Sequence, residues 1–321
     1  MVIKKEYLED FISVTQHAAI ATYPYIGKNN KKAADKSATD SMRQKLNEIN
    51  MKGRVVIGEG EIDEAPMLYI GEIIGNQRGD DIDIAVDPVE GTNFVAKNMR
   101  GSISVIAAAN KNNLFNAPET YMEKIAFGSH IDPGVVDLDY SFKKNIENLA
   151  DFNNKNVEDL TICILDRPRH KKIIDEAKHK KIKINLITDG DVTGAILVSD
   201  QKFNVDLFLG IGGGPEGVLA ACALDSMNCG FQGRLLFEDD KIIERANKMG
   251  INDLNKKYNI NDIVKGDSIF CATGITDGDI TRGVKIINEE YITDTFVTHK
   301  SQKIKKNICL LYTSPSPRDN R

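Results

Sequence analysis

Val205-Asp-Leu-Phe-Leu-Gly-Ile-Gly-Gly-Gly-Pro-Glu-Gly-Val-Leu-Ala-Ala-Cys-Ala-Leu224 reads as a short apolar strand (Val205–Leu209), a glycine-rich turn (Gly210–Gly217) and an apolar helix (Val218–Leu224). Two earlier units share this grammar. Leu160-Thr-Ile-Cys-Ile-Leu165 is a strand ahead of a basic helix around His170 to Lys180, and Lys183–Ile187 is a strand ahead of Asp189-Gly-Asp191 and the helix Val192–Val198. Strands and helices alternating at this length predict a parallel, open α/β sheet. Ligands of such sheets lie at the carboxyl ends of the strands, where these Gly- and Asp-rich loops fall.

Upstream the texture differs. Apolar residues at helical spacing (Leu8, Phe11, Ile12, Val14, Ala18, Ala19) predict a helix from Glu6 to Tyr25, and a second covers Ala38 to Ile49. Arg54–Gly58, Asp81–Asp87 (stopped by Pro88) and Ile103–Ala109 read as strands. The fold class is therefore α/β, α+β in the first half and open α/β in the second. The polar stretch Asn145–Glu158 is the natural boundary, giving a metal-binding domain over 1–158 and a substrate-binding domain over 159–310. The Ser/Pro-rich end predicts a disordered tail over 311–321.

The 321 residues are 41% hydrophobic and 28% charged, as expected of a folded chain rather than a disordered one. A net charge of −5 argues against a nucleic-acid or anionic-membrane partner, which needs a basic face. The first ten residues carry charges where a secretory leader needs an apolar stretch, and no apolar run reaches the roughly 18–20 residues of a membrane span. Five cysteines without a C-x-x-C pair suggest reduced thiols in a cytoplasmic protein.

The acids are clustered. In Asp87-Pro-Val-Glu-Gly-Thr92 a strand ends in one carboxylate and a second follows three residues on. Two acids on one sharp turn can face a single hard cation such as Mg²⁺ or Mn²⁺, although a solvated acidic turn fits two acids equally well. The pattern recurs in Gly58-Glu-Gly-Glu-Ile-Asp-Glu-Ala-Pro66, which offers Glu59, Glu61, Asp63 and Glu64 after another strand. So many like charges repel one another unless a cation is present. Asp35, between the first two helices, reads on its own as an ordinary surface aspartate. Arg167 and Arg169 flank Pro168 after a strand end, where planar guanidinium groups can grip a phosphate or simply be solvated.

Lys31–Asp35, Val56–Gly71, Asp83–Thr92, Asn116-Ala-Pro, Tyr121-Met-Glu-Lys124, Arg167-Pro-Arg-His170, Asp189-Gly-Asp191, Gly212–Gly217 and Ala272-Thr-Gly-Ile-Thr276 together resemble the class II fructose-1,6-bisphosphatases, in order, over residues 2 to 306. Asp-Pro-x-[Asp/Glu]-Gly-Thr marks the wider lithium-sensitive phosphatase superfamily, and the Gly58–Pro66 run is specific to this class. The resemblance implies a layered αβαβα sandwich and a homo-oligomer, dimer or tetramer. It implies two or three Mn²⁺ or Mg²⁺ ions on Asp35, Glu59, Asp87, Glu90 and Glu216. It also implies a sugar-bisphosphate site lined by Glu90, Gly91, Thr92, Tyr121, Arg167, Pro168, Arg169, Asp189, Gly190, Asp191 and Gly213. The expected reaction is hydrolysis of the C1 phosphate of fructose-1,6-bisphosphate, with sedoheptulose-1,7-bisphosphate as the alternative. Thr92, Asp35 and Glu59 are the expected catalytic group, the Thr92 hydroxyl passing a proton from water to one of the two acids. Arg167 and Gly214 stand where the family more often has lysine and alanine.

A rival lies in the opening stretch itself. Gly212-x-Gly-x-x-Gly217 matches the dinucleotide fingerprint of nicotinamide- and flavin-dependent oxidoreductases. Glu216 would repel a pyrophosphate there, and the motif follows the third strand of its half, whereas the fingerprint belongs to the first βαβ turn. A non-catalytic phosphate-binding protein is the other alternative. His170 is expected beside the site or at the surface rather than in the chemistry.

Overall fold

The computed structural model describes residues 2–58 and 68–313. Two helices open the chain, α1 (Glu6–Thr22) and α2 (Lys31–Glu48). Asn30 caps α2 by accepting from the Ala33 N–H at 3.1 Å. The helix thus starts well ahead of Ala38, and Asp35 lies inside its second turn, not between two helices. The strands β1 (Met51–Ile57), β2 (Ile73–Ile74) and β3 (Asp80–Glu90) follow, then the short helix α3 (Thr92–Ala96) and β4 (Ile103–Asn110). Pro88 does not stop β3. The strand continues to Glu90 because the register against β4 slips between Asp87 and Glu90, and a proline is tolerated at such an irregularity.

Next come β5 (Tyr121–Phe127), α4 (Phe142–Asn153), β6 (Thr161–Leu165), α5 (Lys171–His179), β7 (Lys183–Ile187) and α6 (Asp191–Ile196). They are followed by β8 (Leu207–Gly213), α7 (Gly214–Ser226), β9 (Gly230–Leu236), α8 (Asp240–Lys248), β10 (Tyr258–Asn259) and α9 (Ile260–Ile263). The described chain ends with β11 (Ser268–Gly274), β12 (Lys285–Ile287), β13 (Glu290–His299) and β14 (Ile304–Thr313).

These strands form two sheets. One, eight-stranded, runs β12-β13-β11-β4-β3-β1-β2, with β14 also on β13; the other, six-stranded, runs β10-β9-β5-β8-β6-β7. The expected parallel set is confined to β7, β6 and β8. β5, from the first half of the sequence, is inserted between β8 and β9 and is antiparallel to both. The division expected at 158/159 therefore does not follow the sheets. β5 and α4 precede it but belong with the second sheet, while β11, β13 and β14 follow it and complete the first. The hydrophobic pattern marks strands, not the sheet each one joins.

The layers are those of an α/β sandwich. α1 and α2 cover one face of the eight-stranded sheet through Phe11, Met42 and Leu46. α4 and α5 cover the outer face of the six-stranded sheet through Leu149 and Ala177. α7 lies between the sheets, with Val218 to Leu224 all buried. A helix apolar on every side is stable only where it is covered all round. No described helix is long and apolar enough to cross a membrane.

The expected tail begins too early, since β14 stays paired with β13 through Thr313. The Tyr312 hydroxyl donates to Gln16 Oε1 and its ring meets the His17 ring edge-on. Residues 314–321 lie outside the described part of the chain.

Asp267 fastens the start of the chain to the β11–β13 pair. Its carboxylate accepts from the N–H groups of Ile3 (3.0 Å), Ser268 (3.1 Å) and Ser301 (2.8 Å) and lies 3.2 Å from His299 Nε2. Burial opposes its ionisation, but the bonds from Ser301 and His299 outweigh burial and hold the carboxyl below its ordinary value. The stability this gives is present above the unfolded value and is lost as pH falls through the lower, folded one. Asp267→Asn should cost about 1.5–3 kcal/mol in urea melts at neutral pH, and the gap to the parent should close on acidification below the ordinary aspartate range.

Candidate active site

The turn that ends β3 is shaped by its own side chains. Asp87 Oδ1 accepts from the Val89 N–H at 2.9 Å, which fixes the first carboxylate. Gly91 takes left-handed angles (φ 80°, ψ 48°), and a Cβ there would lie 2.8 Å from the Phe94 ring, so only glycine fits. The turn is braced from the far end of the chain. Ser102 Oγ donates to the Glu90 carbonyl (2.9 Å), and the Ser102 N–H donates to Thr276 Oγ1 (3.0 Å).

Glu90 points into the interior, where its Oε1 accepts from the Val192 N–H at 3.1 Å. Glu216 comes from the first turn of α7, positioned by Gly213 at the N-cap and Pro215 just inside the helix. Asp87, Glu90 and Glu216 each offer a carboxylate oxygen, and the three oxygens lie within 4.8 Å of one another. Burial first, then the charges of Asp191 and Glu216, hold the Glu90 carboxyl well above its ordinary range. An all-oxygen donor set whose negative charges oppose each other fits a hard divalent cation.

Thr92 stands at the first position of α3. Its hydroxyl lies 3.1 Å from both Asp35 Oδ1 and the Val89 carbonyl, and it caps no backbone N–H; the cap residue is Gly91. Burial raises the Asp35 carboxyl above its ordinary value, against the opposing effect of the Thr92 bond. Glu59, with Glu61, Asp63 and Glu64, lies outside the described residues. The structure thus gathers Asp87, Glu90 and Glu216 into one cluster and joins Asp35 to the same turn through Thr92.

The opposite wall comes from the six-stranded sheet. Gly190 repeats the Gly91 conformation (φ 80°, ψ 52°) at the start of α6. Asp189 on one side of it accepts from Asn93 Nδ2 at 3.1 Å, and Asp191 on the other accepts from Lys124 Nζ. Arg169 reaches the Ile211 carbonyl through Nε (3.0 Å) and Nη2 (2.7 Å), and its guanidinium lies 4.9 Å from the centre of the exposed Tyr121 ring. Arg167 Nη1 donates to the Asp166 carbonyl at 3.2 Å, and Pro168 opens the turn between the two arginines. The Gly213 carbonyl accepts from Lys124 Nζ at 2.7 Å.

His170 is buried rather than at the surface. Its Nδ1 lies 2.7 Å from the Leu165 carbonyl, and its Nε2 accepts from the Ile211 N–H at 2.8 Å. Those partners require the tautomer with the proton on Nδ1, and burial pushes its pKa down. Asn93, Ser102, Lys124 and Thr276 are contributors that the sequence reading did not single out. Lys124 and Thr276 stand there only as the ends of motifs, Tyr121–Lys124 and Ala272–Thr276, with no role of their own.

The dinucleotide reading ends at this point. β8 runs on through Gly213, α7 starts at Gly214, and Glu216 sits among carboxylates where a pyrophosphate would have to lie.

A two-sheet α/β sandwich with convergent acids at one strand end and arginines at another suits metal-assisted chemistry on a phosphorylated ligand. The family profile described as "Bacterial fructose-1,6-bisphosphatase, glpX-encoded" matches residues 5–311, and the chain belongs to that family, the class II enzymes. It is 37% identical to the D-fructose 1,6-bisphosphatase class 2/sedoheptulose 1,7-bisphosphatase of Synechocystis sp. over 96% of both chains. It is 40% identical to the fructose-1,6-bisphosphatase class 2 of Haemophilus influenzae over 92% of this chain and 93% of that one. A Synechococcus sp. protein with the dual name is also 40% identical, over 90% of each chain. The chain is accordingly an enzyme, a phosphoric monoester hydrolase.

Glu90 gives this site a pH signature. Its raised folded value means that, without a cation, its contribution to stability is full below the ordinary carboxylate value and is lost as pH rises through the raised one. The cation-stripped protein should therefore melt lower at a pH well above the ordinary carboxylate range than at one within it. Added Mn²⁺ should raise the melting temperature most at the higher pH, by the equivalent of about 2.7 kcal/mol at roughly a hundredfold excess over Kd. Glu90→Gln should flatten the pH dependence of the stripped protein and weaken the Mn²⁺ effect, both read by calorimetry.

Proposed function

We propose that this chain hydrolyses the C1 phosphate of fructose-1,6-bisphosphate, giving fructose-6-phosphate and inorganic phosphate. The observation that carries the reading is the cluster of Asp87, Glu90 and Glu216 oxygens within 4.8 Å, one turn away from the Thr92–Asp35 pair. Asp35, Glu59, Asp87, Glu90 and Glu216 would hold two or three Mn²⁺ or Mg²⁺ ions, which supply neutralising charge at the phosphoryl oxygens and acidify water.

The chain's own groups divide the remaining work. The Thr92 hydroxyl, 3.1 Å from both Asp35 Oδ1 and the Val89 carbonyl, donates to one of them and keeps lone pairs with which it would accept a hydrogen bond from the attacking water and aim it in line. Asp35, with its raised carboxyl, is placed to take a proton relayed through that hydroxyl. Arg167 and Arg169 grip the second phosphate, with Tyr121 holding the Arg169 plane. Asp189 and Asp191, around Gly190, accept from the sugar hydroxyls, and Glu90, Gly91 and Gly213 line the space between the two walls.

The named activities of the Synechocystis and Synechococcus relatives favour a second substrate, sedoheptulose-1,7-bisphosphate, one carbon longer between its phosphates. A phosphate-release screen over sugar bisphosphates, sugar monophosphates and inositol monophosphate, with Mn²⁺ and with Mg²⁺, tests the proposal. Fructose-1,6-bisphosphate should exceed fructose-6-phosphate by more than about tenfold in kcat/KM, since each charge-assisted bond to the second phosphate is worth about 1.5–3 kcal/mol. EDTA should abolish turnover and Mn²⁺ restore it. Equal rates on inositol monophosphate would sink the substrate assignment.

Thr92 can be tested separately. Thr92→Ala should lower kcat by roughly 10²-fold with Mn²⁺ affinity little changed, and Thr92→Ser should keep most of the activity. A near-native rate for Thr92→Ala removes the hydroxyl from the mechanism.

A further inference from the structure

Lys124 is a cation that the reaction described so far does not use. It lies on β5 with its side chain only 2% exposed, beside Asp191 at 6%. Its ammonium donates to Asp191 Oδ2 and to the Gly213 carbonyl. Asp191 closes the turn that faces the sugar, and Gly213 is the N-cap of the helix that carries Glu216. One ammonium thus ties together two loops that build different parts of the site.

The space for it is made by absent side chains. A Cβ on Gly212 would lie 2.0 Å from Asp191 Oδ2 and 3.0 Å from Lys124 Nζ, and one on Gly217 would lie 2.6 Å from Met122 Sδ and 3.2 Å from the Lys124 stem at Cδ. The first glycine of the pattern that imitates a dinucleotide fingerprint is therefore required to seat an internal ion pair. A buried pair of this kind tolerates little change in geometry, because each charge is costly to leave uncompensated.

We propose that Lys124 is a positioning residue for hydrolysis, locking the Asp191 carboxylate against the substrate sugar and the start of α7 against the carboxylate cluster. This rests on the phosphatase reading. Lys124 touches neither the phosphate nor the reacting water; it acts through Asp191 and Gly213.

The test is a double-mutant cycle on the full chain with saturating Mn²⁺, well below the melting temperature. Lys124→Met and Asp191→Asn should each lower kcat/KM for fructose-1,6-bisphosphate by about tenfold or more, and the double variant should be no worse than the poorer single one. Lys124→Gln, whose amide can still donate to both partners, should recover part of the loss. Gly212→Ala, which displaces the pair with both charges intact, reads the same effect if Lys124→Met does not fold. A folded Lys124→Met within about threefold of the parent overturns the proposal, and so do losses that simply multiply in the double variant. A parent chain inactive on fructose-1,6-bisphosphate with Mn²⁺ overturns the phosphatase reading instead, and this inference with it.

Discussion

Like charges are held together in this protein against their own repulsion, and the architecture is arranged around that fact. Asp87 and Glu90 come from the end of a strand in one sheet, and Glu216 from the first turn of a helix packed between both sheets. The rigid sandwich holds three carboxylate oxygens within 4.8 Å of each other, because slipping either layer would disrupt a close-packed interior. Burial and the charges of Asp191 and Glu216 raise the Glu90 carboxyl well above its ordinary range, which eases the repulsion within the cluster when no cation is bound.

The two turns on either side of the site are built alike. Each places an acid, a left-handed glycine and the start of a short helix in succession, Glu90-Gly91-Thr92 in one and Asp189-Gly190-Asp191 in the other. Phe94 lies between them. Its ring would be 2.8 Å from a Cβ on Gly91 and 3.4 Å from one on Gly190, so a single aromatic plane sets how near the two turns come. Asn93, its neighbour, adds a direct bond to Asp189. Spacing across the site is thus controlled by residues that carry none of the expected chemistry.

Much of the site was legible in the sequence, because hard-cation and phosphate chemistry leaves dense, ordered motifs. Asp87 and Glu90 stood out by residue type and spacing, whereas Asp35, Thr92 and Glu216 were named only through the resemblance to the class II enzymes. Helical and strand periodicity likewise located α1, β4, β6 and β7 to within a few residues. What stayed hidden was long-range. Nothing in Tyr121–Phe127 says that this strand will enter a sheet whose other members come later, and nothing in Pro88 says that a register slip will absorb it. Asp35 was misplaced locally because the Asn30 cap was overlooked. Lys124 was quoted within a motif, but its partners are Asp191, 67 positions away, and Gly213, 89 positions away.

The way the first sheet is completed has a consequence for how the protein is made. β4 pairs on one side with β3, a neighbour in the chain, and on the other with β11, whose first residue follows the end of β4 by 158 positions (268 − 110). Ribosomes add about 5–20 residues per second, so the free edge of β4 waits roughly 8–30 s for its partner. That edge is an apolar run, Ile103 to Ala109, the kind of open strand that pairs with any other available. During synthesis the nascent chain must therefore keep its alanine- and isoleucine-rich edge from other chains until the last sixth of the sequence emerges.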